Sequence, residues 1–241
     1  MTEFSQFTGA EMIARDYGLT RDDLDAFALD SHRKAAAATA ASAFDREIVV
    51  LDVIDKDGNA QRHAADEGIR ADASLDGLGS LKTINADGVI TAGNASQICD
   101  GASGLLIVSE RALKAHNLTP LARIDTMTVT AGDPVIMLME PIPATKRALE
   151  RSGRSIADID LAEVNEAFAP VPMAWLRDTG ADPARLNVNG GAIALGHPLG
   201  ASGAKLMATL VHALRARGGR YGLQTMCEGG GIANATIIEA L

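Results

Sequence analysis

From about Val89 onward, short apolar runs alternate with amphipathic helical stretches, and this alternation restricts the fold of the chain more than any other feature. Residues 105–109, 121–130, 143–151, 160–164 and 166–179 carry it, and a strand-helix alternation of that kind is the signature of an α/β architecture. Residues 202–217 put Leu206, Met207, Leu210, Val211 and Leu214 on one helical face, the spacing of a core-facing stripe. Gly218 and Gly219 end that helix, and residues 221–226 and 232–238 read as two further strands around a glycine turn.

The part before Gly88 has a different texture. Thr20 followed by Asp23 resembles a capping box, so the alanine-rich run over 24–44 reads as a long helix. Residues 47–53 read as a strand, Asp57-Gly58-Asn59 as a turn, and the polar stretch 61–88 as a surface excursion. With 241 residues, 47% of them hydrophobic, the chain can bury the core of one large or two small domains. A net charge of −9 argues against non-specific nucleic-acid binding, which needs clustered Lys and Arg. No apolar run is long enough for a bilayer and the first ten residues do not read as a signal peptide, so a cytoplasmic protein is expected. Two cysteines, Cys99 and Cys227, are too few for a disulfide framework and are read as free thiols.

The segment from Asn187 to Lys205 is the most informative for chemistry. Its glycines and small side chains let backbone approach a ligand and feed a helix beginning near Ser202, yet it lacks the Gly-Lys-Ser/Thr ending of a phosphate-binding loop. His197, between Gly196 and Pro198, is either a hydrogen-bonded loop histidine or a catalytic one. His32, His63, His116 and His212 read as solvated or structural. Cys227 ends a strand beside Gly229, Gly230 and Gly231, where backbone N–H groups could face a ligand; a buried, inert thiol is the alternative. Asn165 either caps a helix or serves a site, Ser96 is a candidate donor in a polar loop, and Cys99 reads as a bystander.

Five stretches, TAGNAS at 91–96, EPIPA at 140–144, NEAFA at 165–169, GGAIALGHPLGASG at 190–203 and CEGGG at 227–231, together resemble the thiolase family in order and spacing. The resemblance implies an αβαβα layered fold of two similar halves with a loop domain on the first. Residues 1–88 would be the loop domain and its return, 89–117 the tail of the N-terminal half, and 118–241 a complete C-terminal domain, so that the first half is truncated.

Carried over, His197 would activate a nucleophilic cysteine and donate to a thioester oxyanion, and Asn165 would hold a water as the other donor. Cys227 would be the second catalytic thiol, Gly229 N–H half of a second oxyanion hole, and Ser96 a contact to the pantetheine arm of coenzyme A. The reaction would be thiolysis of 3-ketoacyl-CoA, or the reverse condensation, with coenzyme A as substrate and neither a tightly bound cofactor nor a metal. The family's first catalytic cysteine has no candidate here, so a fragment needing an N-terminal half is expected, with a catalytically inactive CoA-binding protein as the alternative. A ketoacyl synthase cousin and a thioesterase acting through Cys227 are more distant readings. Ser5-Gln6-Phe7-Thr8-Gly9 replaces the His-Met-Gly of short-chain biosynthetic thiolases, and Glu140 and Glu228 resemble a bacterial subgroup acting on longer or bulkier 3-ketoacyl-CoAs. Strands such as 105–109 would lack their neighbours, which implies a homo-oligomer or a complementing N-terminal half as partner; no nucleic acid or membrane is expected.

Overall fold

The computed structural model of the chain describes residues 4–241. Two helices come first, α1 (Gln6–Asp16) and α2 (Arg21–Ala40). The capping box read from the sequence is present: the Asp23 carboxylate accepts from Thr20 N at 2.8 Å, and Thr20 Oγ1 accepts from Asp23 N at 3.2 Å. A small hairpin of β1 (Leu51–Ile54) and β2 (Ala60–His63) turns at Asp57-Gly58-Asn59, where Gly58 has φ +86°. Two short helices follow, α3 (Leu75–Gly79) and α4 (Glu110–Ala115).

The second part is built on a four-stranded sheet. In chain order it comprises β3 (Ala122–Ala131), α5 (Pro141–Ser152), β4 (Leu161–Val164), α6 (Pro170–Thr179), the single turn α7 (Ala192–Leu195), α8 (Ser202–Ala216), β5 (Tyr221–Glu228) and β6 (Ile232–Ala240). The strand order is β3-β6-β5-β4, with β4 parallel to β5 and the other two pairs antiparallel. Neighbouring residues Ile237 and Ile238 of β6 belong to different apolar clusters, as the alternation of a strand requires. Ile238 packs with Leu210 and Leu214 of α8, whereas Ile237 joins a larger core with Ala148 of α5 and Trp175 of α6. That larger core also takes in Ile13, Leu24, Leu78 and Ile90, so α1 and α2 share buried surface with the sheet layer.

Three expectations change. Residues 105–109 form no strand; Leu106 is 79% and Ile107 69% exposed, and β propensity without a neighbouring strand leaves the backbone unpaired. The strand expected from residue 47 starts at Leu51. The helix expected from Glu166 starts at Pro170 because residues 165–169 are committed elsewhere: Ser96 N donates to Ala167 O at 3.0 Å and Ala169 N to Asn94 O at 2.9 Å. Among the described residues no helix is long and apolar enough to cross a membrane.

Candidate active site

The carboxyl ends of the parallel pair β4 and β5 gather the residues singled out in the sequence, the usual place for a site in an α/β layer. Asn165 directly follows β4, and its N–H donates to Thr225 O of β5 at 3.1 Å. Cys227 lies two residues further along β5. The third contributor is the loop from Asn187 to Ala201, which is built as a rigid shelf rather than a flexible glycine tract. Asn187 pins its start by accepting from Val164 N and donating to Val164 O and Glu166 Oε1, each at 2.9 Å. Gly196, at φ +80°, turns the chain, and His197 N then donates to Gln97 O at 2.9 Å.

Glu166 holds the middle of this shelf. Its buried carboxylate accepts from Ser31 Oγ of α2 at 2.7 Å, from Asn187 Nδ2 at 2.9 Å and from Ile193 N of α7 at 3.2 Å. Burial raises its pKa, and those three donors pull the other way. A Cβ on Gly191 would stand 2.2 Å from the Glu166 carboxyl carbon, so only glycine lets the loop approach this closely.

The His197 ring has a defined tautomer. Nδ1 is 2.5 Å from Ser202 Oγ, and Ser202 Oγ is 3.0 Å from Pro198 O. Asn165 Nδ2, which can only donate, lies 3.4 Å from Nε2, so Nε2 is the acceptor, the ring hydrogen sits on Nδ1 and Ser202 Oγ accepts it. Nε2 is then unprotonated, and its lone pair accepts from Asn165 Nδ2 across a long 3.4 Å. Burial first, and the Lys205 charge second, lower the His197 pKa below its ordinary value, so the ring is neutral and able to take a proton at pH 7.

Asn165, then, caps no helix. It is buried, faces His197, and α6 has Ala169 at its N-cap. Cys227 is buried, and burial, reinforced by Glu228, pushes its thiol up to about 12. No hydrogen bond joins it to His197 or Asn165 among the described residues; strand pairing alone brings it to the same end of the sheet. Gly229 opens the turn after β5 and is exposed, while Gly230 and Gly231 supply the positive φ values, +79° and +80°. Ser96 is half-buried and joins the site through its backbone bond to Ala167. Cys99 is exposed and packs its sulfur beside Gly196. His32 is structural, its Nδ1 accepting from Arg70 N at 3.2 Å.

Ser202, Glu166 and Gln97 were missed as site residues in the sequence. Their one sequence signal is position, each within five residues of His197, Asn165 or Ser96. Among the described residues no cluster of side chains could hold a metal ion.

Residues 3–111 match the family described as "Thiolase, N-terminal domain" and residues 118–240 that described as "Thiolase, C-terminal domain". A steroid 3-ketoacyl-CoA thiolase, FadA6, of Mycobacterium tuberculosis is 52% identical over 239 residues, 99% of this chain and 57% of the relative. The crystal structure of the Bacillus anthracis acetyl-CoA acetyltransferase is matched with a TM-score of 0.93 at 39% identity, over 98% of this chain and 60% of that one. The human mitochondrial 3-ketoacyl-CoA thiolase in complex with CoA gives a TM-score of 0.89 at 43% identity, over 97% of this chain and 58% of that one. The chain therefore spans under two thirds of the length of the proteins it matches.

Proposed function

The chain belongs to the thiolase family, and from that premise we propose that it supplies the His197 and Cys227 part of an acyl-CoA C-acyltransferase site, which thiolyses 3-ketoacyl-CoA or runs the reverse Claisen condensation. The observation that carries this reading is the His197 ring held between Ser202 Oγ at Nδ1 and the Asn165 amide at Nε2, which suits Nε2 to act as a base. Breaking a bond α to a thioester requires a positioned base, and donors aimed where negative charge develops.

In thiolysis, His197 Nε2 takes the proton of a cysteine thiol, and the thiolate attacks the 3-keto carbon. The bond between C2 and C3 then breaks, its electron pair goes to C2 of the departing acyl-CoA, and Cys227 Sγ–H protonates that carbon. Coenzyme A thiol, deprotonated in turn, attacks the acyl thioester and releases the shortened acyl-CoA. A thiol held near pKa 12 suits the proton-donating part of this scheme, because it keeps its hydrogen until a strongly basic carbanion forms beside it. Asn165 would hold the water that, with His197, faces the thioester oxyanion; Gly229 N–H would face the second oxyanion and Ser96 the pantetheine arm.

We assign the acyl-accepting cysteine to a residue outside these 241. Cys227 is buried and protonated, and among the described residues no hydrogen bond joins the exposed Cys99 to a histidine. The exposed apolar run at residues 105–108 supports a partner that covers it, either a second copy or an N-terminal thiolase half. For the acyl group we favour a long or bulky 3-ketoacyl chain. Ser5-Gln6-Phe7-Thr8-Gly9 stands where short-chain enzymes have His-Met-Gly, and a relative named for steroid substrates is 52% identical. A cytoplasmic location and the absence of a tightly bound cofactor complete the reading.

CoA-dependent thiolysis of a panel of 3-ketoacyl-CoAs, from acetoacetyl to polycyclic, tests it, with and without a separately expressed N-terminal thiolase half. Activity on mixing, strongest with bulky substrates, is expected. Activity from the chain alone would remove the need for an outside cysteine, and silence in both arms would favour a CoA-binding protein without turnover.

A further inference from the structure

Behind the shelf that carries His197 lies a cavity of about 10 Å3, room for one water molecule, with Glu163, Asn165, Gly191, Lys205 and Thr209 among its walls. Two of these residues bring polar atoms that have no partner among the described residues, Glu163 Oε2 and Asn165 Oδ1. Both side chains are almost wholly buried, at 2% and 1% exposure. Their spacing along the β4 direction is two residues, which sends both to the same side of the sheet. Buried acceptors are rarely left without a hydrogen, so each of these atoms points to a group that satisfies it.

Asn165 Oδ1 can only accept, and the walls offer few donors. Lys205 Nζ directs two of its three hydrogens to Leu195 O at 2.5 Å and Asp66 Oδ1 at 3.3 Å, and Thr209 Oγ1 gives its one to Glu47 Oε1 at 3.2 Å. Glu163 remains. Burial, then the Glu166 and Glu47 carboxyls, push its pKa well above the carboxylate range, against the pull of Lys34. A neutral carboxylic acid both donates and accepts. It can therefore give its hydrogen to a water, which passes one of its own to Asn165 Oδ1.

Building on the proposed catalytic role of His197, we propose that Glu163 is a positioning residue for it: through one water in this cavity, Glu163 holds the Asn165 amide with Oδ1 inward and Nδ2 on the imidazole. Without that hold the amide can rotate by half a turn, placing Oδ1 against the Nε2 lone pair and removing the donor from the site. The relay runs from Glu163 through water and Asn165 to His197, and it touches no substrate.

Two variants separate this role from plain structural support. Glu163→Gln keeps the length and a donor N–H, whereas Glu163→Met keeps the length and has none. In the Met variant His197 is expected to titrate about half a pH unit or more higher by NMR, because the neutral ring loses the hydrogen bond that favours it. The kcat of thiolysis, assayed with the N-terminal half, is expected to fall about tenfold to a hundredfold with KM little changed. The Gln variant is expected to restore both readings. An unchanged His197 titration in a folded Met variant overturns the assignment, and so does a Gln variant as impaired as Met. Should the Met variant not fold, a high-resolution crystal structure of the unmodified chain decides: a water within hydrogen-bond reach of Glu163 and Asn165 Oδ1 supports the relay, and its absence overturns it. Failure of the unmodified protein to thiolyse any substrate would count against the proposed function, while titration and crystallography would still judge Glu163.

Discussion

Ser202 Oγ stands 2.5 Å from His197 Nδ1, and the same hydroxyl gives its only hydrogen to Pro198 O. A residue on the first turn of α8 thereby engages Nδ1 of a loop histidine and leaves Nε2 facing Asn165. Ser202→Ala removes the acceptor and frees the ring to populate the other tautomer. A decrease in kcat of about tenfold to a hundredfold is expected, and long-range proton–nitrogen spectra of His197 should change from one tautomer to a mixture.

Among the described residues Asn165 supplies the only polar side chain on His197 Nε2, so its replacements should act through that nitrogen. Asn165→Ala is expected to cost roughly 3 kcal/mol of transition-state stabilisation, seen mainly in kcat. Asn165→Asp puts a carboxylate beside the ring, which favours imidazolium, and the His197 pKa should rise above that of the unmodified protein in an NMR titration.

The two thiols should separate by reactivity. Cys99 is exposed, whereas Cys227 is buried with its pKa pushed up to about 12. Iodoacetamide at pH 8 is expected to modify Cys99 while leaving Cys227 intact, as peptide mass spectrometry would reveal. The same shift bears on stability. A thiol ionising near 9.0 when unfolded and near 12 when folded binds more protons in the native state between those values. The stability it contributes is therefore complete below pH 9 and is lost as pH rises toward 12. Chemical denaturation of Cys227→Ala should show a shallower alkaline decline.

Glu166 accepts from three donors on three different segments, so removing its carboxylate leaves Ser31 Oγ, Asn187 Nδ2 and Ile193 N without it. Glu166→Ala is expected to lower unfolding stability by about 3 kcal/mol in urea titration, with a loss of activity larger than the stability change alone accounts for. An unaltered midpoint would mean that the carboxylate is not the tie between α2 and the His197 shelf.

The local features of this chain were readable as sequence because they are set by residues within a turn of one another. The Thr20-Asp23 box, the apolar stripe of α8 with its glycine stop, and the Gly58 turn each hold in the structure at or near their expected positions. The motifs at Asn165, His197 and Cys227 were legible too, and three dimensions place Asn165 directly on the His197 ring.

What the sequence determined by itself, then, is periodicity, capping and motif order, since these depend on near neighbours along one chain. It could not determine whether residues 105–109 pair as a strand, because a β ladder needs a partner that local preference does not supply. Nor could it choose between a helix cap and a buried contact with His197 for Asn165. Those choices rest on contacts between distant positions, such as Ser31 with Glu166, 135 residues apart, and Asn165 with His197, 32 apart. Only the packing of α2, β4 and the His197 shelf around shared buried polar atoms fixes them, because a buried donor or acceptor must be satisfied by whatever group the fold brings alongside.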